Sequence, residues 1–96
     1  MPVFLVLSKL TEKGAETLFT RPERIKEVNM ELEGMGVKVL HQYVMLGDYD
    51  FLNIVEAPDE ITLYKALVAL NRRGTIRTST FRLVPVEEFI ENLRKP

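Results

Sequence analysis

Apolar and polar positions along this chain fall into blocks, each about as long as one secondary-structure element. Pro2–Leu10 (PVFLVLSKL) is almost continuously apolar, the pattern of a strand buried on both faces. Thr11–Phe19 contains Gly14 and shows no clear period, which predicts a connecting loop with one helical turn. Thr20-Arg21-Pro22-Glu23 carries a capping-box pattern, and Ile25, Val28, Leu32 and Met35 then recur at helical spacing. Gly34 or Gly36 ends that helix. Val37–Leu46 alternates and is more polar than the first strand, as an edge strand is. Gly47-Asp48-Tyr49-Asp50 predicts a tight reversal, and Phe51–Ala57 is a second mostly apolar strand. Asp59 is placed to cap a helix running to Arg73, with Gly74 as its stop. Thr75–Val84 is a Thr- and Arg-rich strand broken by Pro85, and Val86–Arg94 predicts a short last helix.

The resulting order is β-α-β-β-α-β plus a terminal helix: an α+β, ferredoxin-like fold with an antiparallel sheet. Right-handed crossovers put strands 1 and 3 in the middle and strands 2 and 4 at the edges. The apolar runs agree, since they are strands 1 and 3. A chain of 96 residues predicts one domain, residues 1–96, with a core over 3–84 and the terminal helix over 86–94.

In this fold both long helices cover the same sheet face. Exposure of the other face would make one parity of every strand polar. Strand 1 is apolar on both parities, and strands 2 and 3 are half-apolar on both. Both faces therefore need a cover, and a second copy packed face to face supplies one, giving a dimeric α/β barrel. The alternative is that the terminal helix folds over the second face, through Val86, Phe89, Ile90 and Leu93. The helix Asp59–Arg73 is also apolar around most of its circumference, leaving a face for the C-terminal segment or for assembly.

Charge adds mainly exclusions. Thirteen Lys and Arg against fourteen Asp and Glu give a net charge of −1, so no global field recruits nucleic acid or an anionic membrane. The absence of Cys excludes disulfides and thiolate metal sites and fits a cytoplasmic location. No apolar run has the ~20 residues of a membrane span. One His and no Cys predict no metal site, and no Gly-rich phosphate loop or nucleophile motif points to a cofactor or a covalent mechanism.

Gly47, Tyr49 and Asp50, followed by a strand and Pro58-Asp59, resemble the Gly-x-Tyr-Asp turn that names the GYD domain family. Lys9-Leu10-Thr11-Glu12-Lys13-Gly14 and Gly74-Thr75-Ile76-Arg77-Thr78 look like its flanking segments, so the likeness runs over residues 3–84. The resemblance implies a dimeric α/β-barrel protein without established catalytic residues.

Four residues are candidates for ligand binding. His41 and Tyr43 share one face of strand 2 by alternation, where a base and a phenol facing a barrel interior suit an enolisable substrate. Tyr49 and Asp50 lie in the turn, where hairpin chemistry alone also explains them. The leading expectation is a small homo-oligomer that binds a small molecule. The alternatives are a cofactor-free monooxygenase or isomerase, and an effector-sensing domain like those of AsnC-type regulators without a DNA-binding part.

Overall fold

A computed structural model describes all 96 residues, Met1–Pro96. Its elements run β1 (Val3–Leu10), α1 (Glu12–Thr20), α2 (Arg24–Gly34), β2 (Lys38–Val44), β3 (Phe51–Glu56), α3 (Glu60–Asn71), β4 (Ile76–Leu83) and α4 (Val86–Leu93). The four strands form one antiparallel sheet in the order β2-β3-β1-β4. The fold is α+β and ferredoxin-like, with the two apolar strands in the centre.

Strand register sorts every side chain to one of two sides. Phe4 lies opposite Val55 and Arg82, so all three share the side on which the helices pack. The core there joins Phe4, Val6 and Val55 to Leu32 of α2, to Val37, and to Leu63, Ala66, Leu67 and Leu70 of α3. These α3 positions recur at three- and four-residue steps, which places them on one helix face. The Arg82 guanidinium lies 5.6 Å from the Phe4 ring centre and covers one end of this core.

Asp59 caps α3 through an Oδ1 that accepts from the Thr62 amide at 2.8 Å. That bond holds its carboxyl below the ordinary aspartate range. Gly36 and Gly74, at φ of +88° and +76°, close α2 and α3.

Three expectations need correction. Thr11–Phe19 is not a loop: α1 fills it, capped by the Thr11 hydroxyl, which accepts from the Gly14 amide at 3.1 Å. Its placement depends on Gly14, where a Cβ would sit 1.9 Å from the Thr75 carbonyl oxygen. The Thr20–Glu23 capping box does not form, because the Thr20 hydroxyl donates back to the Glu16 and Thr17 carbonyls and ends α1 instead. Simple alternation also fails in β2. A bulge between Val39 and His41 turns Val39 toward the helices and His41 away from them.

The terminal helix covers nothing within this chain. No residue of α4 is buried, and Val86, Phe89, Ile90 and Leu93 all stay exposed. The molecule is accordingly elongated, 54 × 29 × 19 Å, with a radius of gyration of 14.8 Å. A compact chain of this length has about 12–13 Å. The expectation that α4 closes the second sheet face by itself is not met.

Candidate functional site

Two sites compete for function, one on each side of the sheet. On the side away from the helices, three transverse rows follow from the register. They read Lys38–Glu56–Val3–Leu83, His41–Ile54–Leu5–Phe81 and Tyr43–Leu52–Leu7–Ser79. Their centre is aliphatic, and no element of this chain covers it. Phe81 and Tyr43 are 51% and 60% exposed. An apolar sheet face left in water is a surface for association.

The sequence candidates meet this side unequally. His41 and Tyr43 stand on it, exposed, opposite Ile54 and Leu52. Tyr49 leaves the β2–β3 turn and reaches toward the far edge, its hydroxyl 3.4 Å from Ser79 Oγ. Asp50 faces the backbone instead. Its Oδ2 accepts from the Leu10 amide at 2.7 Å, its own amide donates to the Ser8 carbonyl at 2.8 Å, and its carbonyl accepts from Met45 at 2.8 Å. These bonds tie the turn to the end of β1, while Gly47 supplies the positive φ of +124° that the reversal needs. Within one chain, His41 and Tyr43 have no wall opposite them to hold a substrate. No three His, Asp or Glu side chains gather as metal ligands.

Beneath the helices the sheet shows a feature the sequence candidates missed. On the helix-covered side, each strand brings a polar side chain to one place: Gln42, Asn53, Ser8 and Thr78. Gln42 lies opposite Asn53, and Ser8 opposite Thr78. They line a half-open cavity of about 170 Å³ whose other walls are mostly apolar, among them Leu18, Ile25, Val28 and Leu67. Two of the four are paired. Gln42 and Asn29 exchange amide bonds at 2.8 and 3.2 Å, and Thr78 accepts from Asn71 at 3.0 Å. Asn53 Oδ1 is buried with no partner.

The cavity opens to solvent on one side, so its volume does not carry the penalty of a closed, empty void. The orphaned buried carbonyl costs ~1–3 kcal/mol. The signal in the sequence was a polar residue in the middle of each central strand, Ser8 in β1 and Asn53 in β3. Register was needed to show that both point inward.

At the cavity rim, Glu31 of α2 takes Arg73 and Arg24 together. The Arg73 hydrogen bond, aided by the charges of Arg73 and Arg24 and opposed by desolvation, holds the Glu31 carboxyl below the ordinary glutamate range. This cluster joins α2 to the turn after α3.

Fold and site together define a small ferredoxin-like domain with one covered and one bare sheet face. A family model described as GYD domain matches residues 4–93. The chain belongs to the GYD domain family, and the match runs through α4 rather than stopping at residue 84. A protein of Thermus thermophilus named glutamine synthetase and cystathionine beta-lyase binding protein is 53% identical over 95 residues. That alignment covers 98% of this chain and 100% of the relative. Among solved structures, MtbAldR superposes with a TM-score of 0.65 at 18% identity. The superposition covers 88% of this chain but 52% of that one, so this chain spans about half of MtbAldR. A crystal structure of another protein from Thermus thermophilus gives a TM-score of 0.55 at 21% identity, covering 88% of this chain and 95% of that one. Both structural likenesses speak for the fold.

Proposed function

We propose that this protein is a homodimeric binding module whose partners are metabolic enzymes of the glutamine synthetase and cystathionine β-lyase kind, and which also takes a small-molecule ligand. The observation that carries the enzyme partners is the 53% identity, end to end, to a relative named for binding those two enzymes. The bare sheet face and the unseated α4 support the dimer. A second copy covers the rows of Leu5, Leu7, Leu52 and Ile54 and receives Phe89 and Ile90, which a lone chain leaves in water. Closure of that face leaves the outer stripe of α3, Ile61, Tyr64 and Val68, free for the enzyme; all three are more than 60% exposed.

Light scattering after size exclusion tests both parts. The protein alone is expected at twice its 11.1 kDa. Mixed with Thermus thermophilus glutamine synthetase or cystathionine β-lyase, it is expected to co-elute, and Val68→Glu is expected to weaken co-elution without halving the dimer mass. A mass of a single chain at micromolar concentration overturns the dimer. Separate elution from both enzymes overturns the partner reading.

A further inference from the structure

We infer that the two copies of the dimer stack with their strands reversed, so that the acidic terminal helix of each lies against a basic corner of the other. The inference rests on the dimer reading above. It deepens that reading by naming the orientation of the copies and the side chains that fix it.

Register places the basic corner. The alternation that sends Leu5 and Leu7 to the bare side of β1 sends Lys9 there too, and Lys9 lies opposite Arg77 of β4. Both are exposed, and neither is in an ion pair within the chain. Asp50 precedes β3 at this end of the sheet, but its carboxylate already accepts from the Leu10 amide. Two like charges side by side on the rim of an apolar face repel each other, and a partner that covers the rim fits best with acids there.

The opposite charge stands at the other end of the same face. α4 follows Leu83, six residues along β4 from Arg77 (83 − 77), or roughly 20 Å at ~3.4 Å per residue. Glu87 and Glu91 are one turn apart on this helix, along one flank of its apolar stripe. Both are exposed and without an ion pair.

Sheets packed face to face keep their strands nearly aligned, which leaves two ways to place a two-fold axis between them. An axis across the strands lays each β4 on the other in reverse. That brings α4 of one copy to the Lys9–Arg77 end of its partner. The Leu5–Ile54 row then rests on the partner's Leu7–Leu52 row, so the apolar centres still meet. An axis along the strands brings α4 instead to the partner's Lys38–Glu56 row, where a base already stands opposite an acid. Only the reversed stacking joins the acidic pair to the basic pair.

Carbodiimide coupling of the wild-type protein tests the orientation, because it joins an amine to a carboxylate only where the two touch. Isotope-labelled and unlabelled protein, mixed and left to exchange, are expected to give Lys9–Glu87 or Lys9–Glu91 linked peptides of mixed isotope. Links from Lys38 to Glu87 or Glu91 in their place overturn the reversed stacking, and so does a dimer that yields no such link from Lys9. Lys9→Glu with Arg77→Glu is expected to raise the dimer Kd about tenfold by setting like charges together. Adding Glu87→Lys and Glu91→Lys is expected to restore it. Reversal without effect, or a loss that the second pair does not restore, overturns the contact. A wild-type mass of a single chain overturns the dimer itself, whereas an intact dimer without Lys9 links overturns the orientation alone.

Discussion

Phe4 and Leu5 are neighbours in β1, yet Phe4 is 2% exposed beneath the helices while Leu5 looks out from the side nothing covers. The two sides of the sheet are similarly rich in aliphatic residues. They differ in what the chain brings to them: α1, α2 and α3 to one, and not even α4 to the other. One side is a core with a polar hole in it. The other is a surface that lacks its cover. The contrast shows why apolar pattern alone cannot tell folding from association, because the same hydrophobic term drives both.

Breaking the contrast at that pair of residues carries the largest expected effect. Phe4→Ala should cost ~3–5 kcal/mol by leaving a cavity in a closed core, at any protein concentration. Leu5→Ala should cost ~2–5 kcal/mol only where a second copy buries the residue, and its melting temperature should then rise with concentration. Thermal melts over a hundredfold concentration range check both. A Leu5→Ala loss below ~1 kcal/mol that ignores concentration would mean the second side stays bare.

A smaller effect is expected at the turn that carries Tyr49 over the open side. Asp50→Ala removes the acceptor of the Leu10 amide and should cost ~1–2 kcal/mol. Asp48, exposed at the tip, should cost a few tenths of a kcal/mol on the same substitution. Denaturant melts of the two variants compare them. Equal midpoints for Asp50→Ala and the unmodified protein would shift Asp50 from scaffold to ligand contact.

Much of this fold is readable from residues in order. The apolar runs of β1 and β3 place those strands centrally, Asp59 caps α3, and Gly74 ends it. What local pattern hides is long-range. Gly14 reads as a helix breaker, but its missing Cβ is what lets α1 pass the Thr75 carbonyl sixty-one residues on (75 − 14). Thr20 and Glu23 have the spacing of a cap, yet Thr20 is already spent on the last turn of α1. His41 and Tyr43 do share a face, while the bulge at Leu40 sends Val39 to the other one. Ser8 and Asn53 are visible in the sequence as polar residues inside mostly apolar strands. Only the register puts them under the helices beside Gln42 and Thr78, and so the cavity was not legible.

The smallest effect sharpens the helix side alone. Glu31 holds Arg73 and Arg24 across the cavity rim, and its carboxyl titrates below the ordinary glutamate range chiefly because of the Arg73 hydrogen bond. A carboxyl with a depressed folded pKa stabilises the fold above the unfolded value and loses that contribution as pH falls through the folded one. The group is about one-third exposed, so solvent screening keeps the pair in the range of ~0–1 kcal/mol. Glu31→Gln should therefore lower stability slightly at pH 7, and the gap to the unmodified protein should close as pH drops below ~4.3, the ordinary glutamate value. Oligomeric mass should not change, because the ion cluster lies on the covered side. Urea melts at pH 7, 5 and 3.5 measure the gap. A gap that stays constant across that range would show that Glu31 acts through shape rather than charge, and a fall in oligomeric mass would show that the two sides of the sheet are coupled.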